Sequence, residues 1–167
     1  MAKARRTVTM AATPARVWEL LADPHHMPRW WPGVARMEDV REDRFTQVFV
    51  TKKGRPVRVD FHLLASEPPG TDGSGSARRR WEQEIAGTPF QRVLSESITE
   101  IVLEPLAGEA GEAGGEAGER LEPARTRITI EQRQRLRGYS RTGGFLLRRA
   151  TGAKLDEALE GLRRICR

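Results

Sequence analysis

From Gly143 to Arg167 the chain carries one long amphipathic pattern. Leu147, Ala150, Leu155, Ala158, Leu159, Leu162 and Ile165 recur at helical spacing, with Arg148, Lys154, Asp156, Glu157, Glu160, Arg163 and Arg164 between them. At 1.5 Å per residue such a helix is roughly 36 Å long. Its apolar stripe needs an equally long partner, and the upstream chain reads mainly as strands, so a sheet must curl around it. Gly152 and Gly161 interrupt the helix at about 1 kcal/mol each relative to alanine, which implies a close backbone approach or space kept open.

Upstream, Thr7 to Ala12 alternates like a strand and stops at Thr13-Pro14, an N-cap followed by proline at the first helical position. A short helix bearing Val17, Leu20 and Leu21 follows. Asp23-Pro24 repeats the signal for a second, which Pro28 and Pro32-Gly33 keep short. Six further strands are expected at Val34–Val40, Phe45–Lys52, Val57–Ser66, Arg79–Ala86, Val93–Glu104 and Arg125–Leu136. Turn signals without helices separate them, which means antiparallel pairing. The expected architecture is α+β: a curved seven-stranded antiparallel sheet around a long C-terminal helix, with two short helices after strand 1.

Strand alternation assigns the inner face. Val57, Val59, Phe61 and Leu63 point to the helix, as do Ile128, Ile130 and Leu136. The same count places Trp81, Gln83 and Ile85, then Val93, Ser95, Ser97, Thr99, Ile101 and Leu103, then Gln132 and Gln134, on the concave side. A buried polar group costs about 1 to 3 kcal/mol if unpaired, so this glutamine, serine and threonine set points either to local hydrogen bonds or to a wet, ligand-sized cavity. The competing explanation is a register slip at a bulge.

Composition narrows the classes. One domain spans 1–167, with Gly-rich loops at about 70–78 and 106–122; Gly108 to Glu119 nearly repeats Gly-Glu-Ala and reads as an acidic loop. Lys and Arg exceed Asp and Glu by 29 to 23, a surface that tolerates anions. Cys166 is the lone cysteine, and no apolar run follows the basic N-terminus or approaches a membrane span, so the expectation is a cytoplasmic protein without a transmembrane segment.

The stretch Ala12-Thr-Pro-Ala-Arg-Val-Trp-Glu-Leu-Leu-Ala-Asp-Pro, then Arg29-Trp-Trp-Pro-Gly-Val, Thr126-Arg-Ile-Thr-Ile and the helix after Gly143-Gly144 resemble the polyketide cyclase/dehydrase-like proteins of the START (SRPBCC, Bet v 1-like) superfamily. The resemblance covers the chain apart from its two Gly-rich loops. It implies a helix-grip fold and a cavity for polyketides, lipids, isoprenoids or other small hydrophobic molecules. It brings no invariant catalytic motif and implies no cofactor.

A cyclase or dehydratase acting on a flexible apolar chain is the alternative, and it would want a general acid or base in the cavity. The assigned inner faces offer none. The ionisable candidates His25, His26, Arg29 and Tyr139 fall near the mouth, and His62 faces solvent. Adjacent histidines without a carboxylate or thiol at ligand spacing give no metal site. The ligand-binding candidates are Trp30, Trp31, Trp81, Gln83, Ser97, Gln132 and Gln134. Arg78-Arg79-Arg80, Arg133, Arg135, Arg137, Arg141, Arg148 and Arg149 could suggest nucleic acid, but no aromatics interleave them. Cross-strand pairing with Glu96, Glu100 and Glu104 explains several of them. The expected partner is a small hydrophobic molecule, for a protein that is a monomer or a homodimer.

Overall fold

The computed structural model describes residues 1–71, 75–106, 124–138 and 141–166. Strand β1 (Ala2–Met10) leads into α1 (Pro14–Ala22), a 3-10 turn at Pro24–His26 and α2 (Met27–Trp30). A meander follows: β2 (Val34–Glu38), β3 (Arg44–Val50), β4 (Pro56–Glu67), β5 (Ala77–Gln83), a 3-10 turn at Pro89–Arg92, β6 (Leu94–Leu106) and β7 (Arg125–Leu136). Helix α3 (Arg141–Ile165) closes the fold. The seven strands form one antiparallel sheet in the order β1-β7-β6-β5-β4-β3-β2. This is the expected helix-grip arrangement. The Gly-Glu-Ala segment lies outside the described residues.

Local chemistry sets the joints. Thr13 caps α1 by accepting from the Arg16 amide at 3.1 Å, and Asp23 does the same for His25 at 3.0 Å. The Thr126 hydroxyl donates to the Ala12 carbonyl at 2.6 Å, tying the end of β1 to β7 in the buried interior. The core joins Leu155, Ala158 and Leu162 of α3 to Ile128, Ile130, Ile101 and Leu103 of the sheet and to Val17, Leu20 and Leu21 of α1.

Four expectations change. Strand β1 begins at Ala2, five residues early, because its inward residues Ala2 and Ala4 are too small to announce an apolar face. Val93 and Ser95 are exposed, since β6 shifts register between Leu94 and Glu96 and turns Leu94 inward in their place. On α3 the buried face starts at Thr151: Ala150 is exposed, as are Phe145 and Leu146. Arg79 is no surface cation but 5% exposed on the inner face of β5, where its Nη1 donates to Ser66 Oγ at 3.0 Å. Burial pushes the pKa of that guanidinium down, against the pull of Asp23.

The outer face carries the expected charge ladder in altered form. Arg127 meets Glu104 at 3.6 Å and Arg135 meets Glu96 at 3.7 Å. Glu100 lies opposite Glu131 and is neutralised by Arg78 at 2.9 Å, while Arg133 and Lys3 hold Glu131. Such exposed pairs contribute about 0 to 1 kcal/mol each, so they serve register more than stability.

Candidate functional site

A pocket of about 300 Å³ lies on the concave side of the sheet, with Lys154 of α3 in its lining. Gln47 and Phe49 come from β3, Val57, Val59 and Phe61 from β4, Trp81 and Gln83 from β5, Thr99 from β6, and Gln132 and Gln134 from β7. Trp31 enters from the link after α2, Phe90 from the turn before β6, and Lys154 from α3. Alternation makes this possible, because Trp81 pairs with Thr99 and Thr99 with Gln132, so one inward row crosses three strands.

One wall is aromatic. Trp31 and Trp81 meet edge to face at 5.9 Å, Phe45 abuts Trp81 at 6.1 Å, and Phe45 stacks on Phe61 at 5.3 Å. Amides lie along the same inner rows. Gln134 Oε1 accepts from the Thr151 hydroxyl at 3.1 Å, which ties β7 to α3, and Gln47 Nε2 points at Met27 Sδ at 3.3 Å. The side chains of Gln83 and Gln132 bond to no other described residue, although Gln132 is only 7% exposed. Their donors and acceptors are left for whatever fills the space.

Among the described residues, Lys154 is the one ionisable side chain in this lining. Its ammonium stands 5.3 Å from the Trp31 ring centre and 5.7 Å from that of Phe49. No carboxylate pairs with it among the described residues, Asp156 being engaged with Arg6 at 3.1 Å. Burial lowers its pKa from the usual 10.5. The unfolded chain therefore holds this proton more tightly than the folded one, and stability should rise as pH climbs through the depressed folded value toward 10.5. Thermal melts of the native protein and Lys154→Met across alkaline pH check this. The native melting temperature should gain on the variant's as pH rises, and parallel curves would contradict it.

Of the residues singled out from sequence, Trp31, Trp81, Gln83, Gln132 and Gln134 are brought together in the lining. Ser97 is buried on the same face, one inward step before Thr99, and is not part of it. Trp30 is 2% exposed and packs edge to face on Trp31 at 5.5 Å, bordering instead an outer groove with Arg29, Glu157 and Arg164. His26 contacts Arg29 at 3.3 Å and Asp23 at 3.9 Å, outside the cavity, because the Pro24 turn points it toward its own segment. His62 faces outward and pairs with Glu84. Tyr139 lies outside the described residues. Among the described residues no cluster of three His, Cys, Asp or Glu side chains could hold a metal. No described helix is long and apolar enough to cross a membrane.

Four lining residues, Gln47, Phe49, Phe90 and Lys154, were missed in the sequence, and two of them, Gln47 and Lys154, left a signal. Gln47 shares its parity with Phe45 and Phe49. Lys154 follows Thr151 by three and precedes Ala158 by four, on the buried stripe by spacing though polar by type. The inner surface therefore does hold a titratable group, contrary to the strand count alone.

A family model described as polyketide cyclase/dehydrase and lipid transport matches residues 1–167. Among solved structures, a START superfamily protein from Mycobacterium smegmatis superposes with a TM-score of 0.67 at 10% identity, over 99% of this chain and 97% of that one. The di-domain ARO/CYC protein BexL of the BE-7585A biosynthetic pathway gives 0.67 at 19% identity, over 98% of this chain and 46% of its own. StfQ, the di-domain ARO/CYC protein of the steffimycin pathway, gives 0.65 at 13% identity, over 99% and 50%. The chain thus spans about half the length of the two di-domain proteins. No curated protein sequence matches it.

Proposed function

Because the chain belongs to the polyketide cyclase/dehydrase and lipid transport family, we propose that it binds a small hydrophobic molecule, polyketide-, lipid- or isoprenoid-like, in the space between sheet and α3. The carrying observation is the lining itself. Trp31, Phe49, Val57, Val59, Phe61, Trp81 and Phe90 make an apolar wall, and the amides of Gln83 and Gln132, without a partner among the described residues, share the lining with it. That is the composition of a ligand site, where apolar area gives affinity and a few polar groups fix orientation.

A cyclase or dehydratase acting on a flexible chain is the second reading, favoured by the Thr99–Gln132 pair, which offers hydrogen bonds to carbonyl oxygens along a single row. Such an enzyme works by holding a reactive conformer, with effective molarity supplied by the walls. Binding comes first in either case. N-phenyl-1-naphthylamine, a neutral dye that brightens in apolar surroundings, should bind the native protein saturably. Val57→Trp, which fills part of the space from a half-buried position, should weaken binding at least about tenfold while leaving the melting temperature within a few degrees. Equal affinity for both proteins would place the dye elsewhere and defeat the proposal.

A further inference from the structure

Lys154 has no role in an apolar container, and its surroundings are poor for a cation. An ammonium leaving water needs a counter-charge or several hydrogen bonds, and removal of that compensation is among the costliest things a fold can tolerate. The aromatic faces of Trp31 and Phe49 supply part of it, at 5.3 and 5.7 Å. No described carboxylate completes it. Its acidic neighbours on α3 are engaged elsewhere, Asp156 with Arg6 at 3.1 Å and Glu160 with Arg163 at 3.9 Å. Lys154 borders the same space as the amides of Gln83 and Gln132, which have no partner among the described residues, and the hydroxyl of Thr99.

We infer that the ligand ends in a singly charged carboxylate, which pairs with the Lys154 ammonium while its apolar body lies against the Trp31, Phe61 and Trp81 wall. This rests on the binding reading above and adds the polarity of the ligand to it. The amide N–H groups of Gln83 and Gln132 suit the remaining lone pairs of such a head. The cation then acts in specificity: neutral molecules of equal length leave it uncompensated, and cationic ones meet repulsion.

The test is displacement of bound N-phenyl-1-naphthylamine at neutral pH by octanoate and by 1-octanol, which share a chain length and differ in head charge. The native protein should favour octanoate at least about tenfold, Lys154→Arg should keep that preference, and Lys154→Met should lose it. The preference is a ratio taken within each protein, so a general loss of affinity in a variant does not imitate the result. A native protein that binds neither the dye nor either competitor overturns the container reading, and this inference with it. Dye binding with octanol displacing as well as octanoate overturns only the inference. So does a preference that survives in Lys154→Met, since the acid would then be held by another group. Should Lys154→Met fail to fold, the native ratio and its retention in Lys154→Arg still decide the matter.

Discussion

Trp81→Ala is expected to lower the free energy of unfolding by about 3 to 5 kcal/mol, the largest loss from any single side chain described above. The residue is 1% exposed and touches both Trp31 and Phe45, so truncation removes its own transfer free energy and also unpacks two neighbouring rings. The hole it leaves opens onto the existing cavity, which limits how far the walls can relax to refill it. Urea titration followed by circular dichroism measures the effect. A loss below about 1 kcal/mol would mean that Trp81 is not packed between Trp31 and Phe45.

Gly161→Ala carries the second largest effect, and its sign is the informative part. On helix propensity alone alanine should gain about 1 kcal/mol. At this position, however, a Cβ would lie 2.6 Å from the Trp30 carbonyl oxygen and 2.8 Å from its Cα, and backbone cannot step aside as a flexible side chain can. Overpacking of this kind costs about 1 to 3 kcal/mol, so a net loss is expected, with a melting temperature lower by several degrees. Gly144→Ala is the matched comparison, since a methyl group there would meet nothing within 4 Å and α3 should gain slightly. Equal stabilisation by both substitutions would show that α2 and α3 stand further apart than these distances require.

The architecture was legible because its signals are periodic and redundant. Six of the seven strands could be placed within a few residues, and Thr13-Pro14 and Asp23-Pro24 marked helix starts that the structure caps with those same side chains. What failed was local. Parity counting carries no warning of a bulge, so Val93 and Ser95 went to the wrong face once Leu94 and Glu96 slipped register. Residue type misled at Arg79, which is buried, and at Lys154, which is half-buried in the pocket lining, because position outweighed polarity. Of the site, the inner row of Trp81, Gln83, Gln132 and Gln134 could be read from alternation. The separation of Trp31 from Trp30 could not, because it depends on where a short Pro-bounded helix docks.

The first strand finds its partner last. Thr7 and Thr129, whose hydroxyls meet at 3.2 Å, are 122 positions apart in sequence, whereas β2 through β6 join their neighbours by short connections. On the ribosome β1 must therefore wait, unpaired, until β7 has been made. Its composition suits the wait: Ala2 and Ala4 alternate with Lys3 and Arg5, a pattern with little stickiness and repulsive charge toward copies of itself. The small inward alanines that concealed this strand in the sequence also leave it little apolar surface to offer a second copy while it waits.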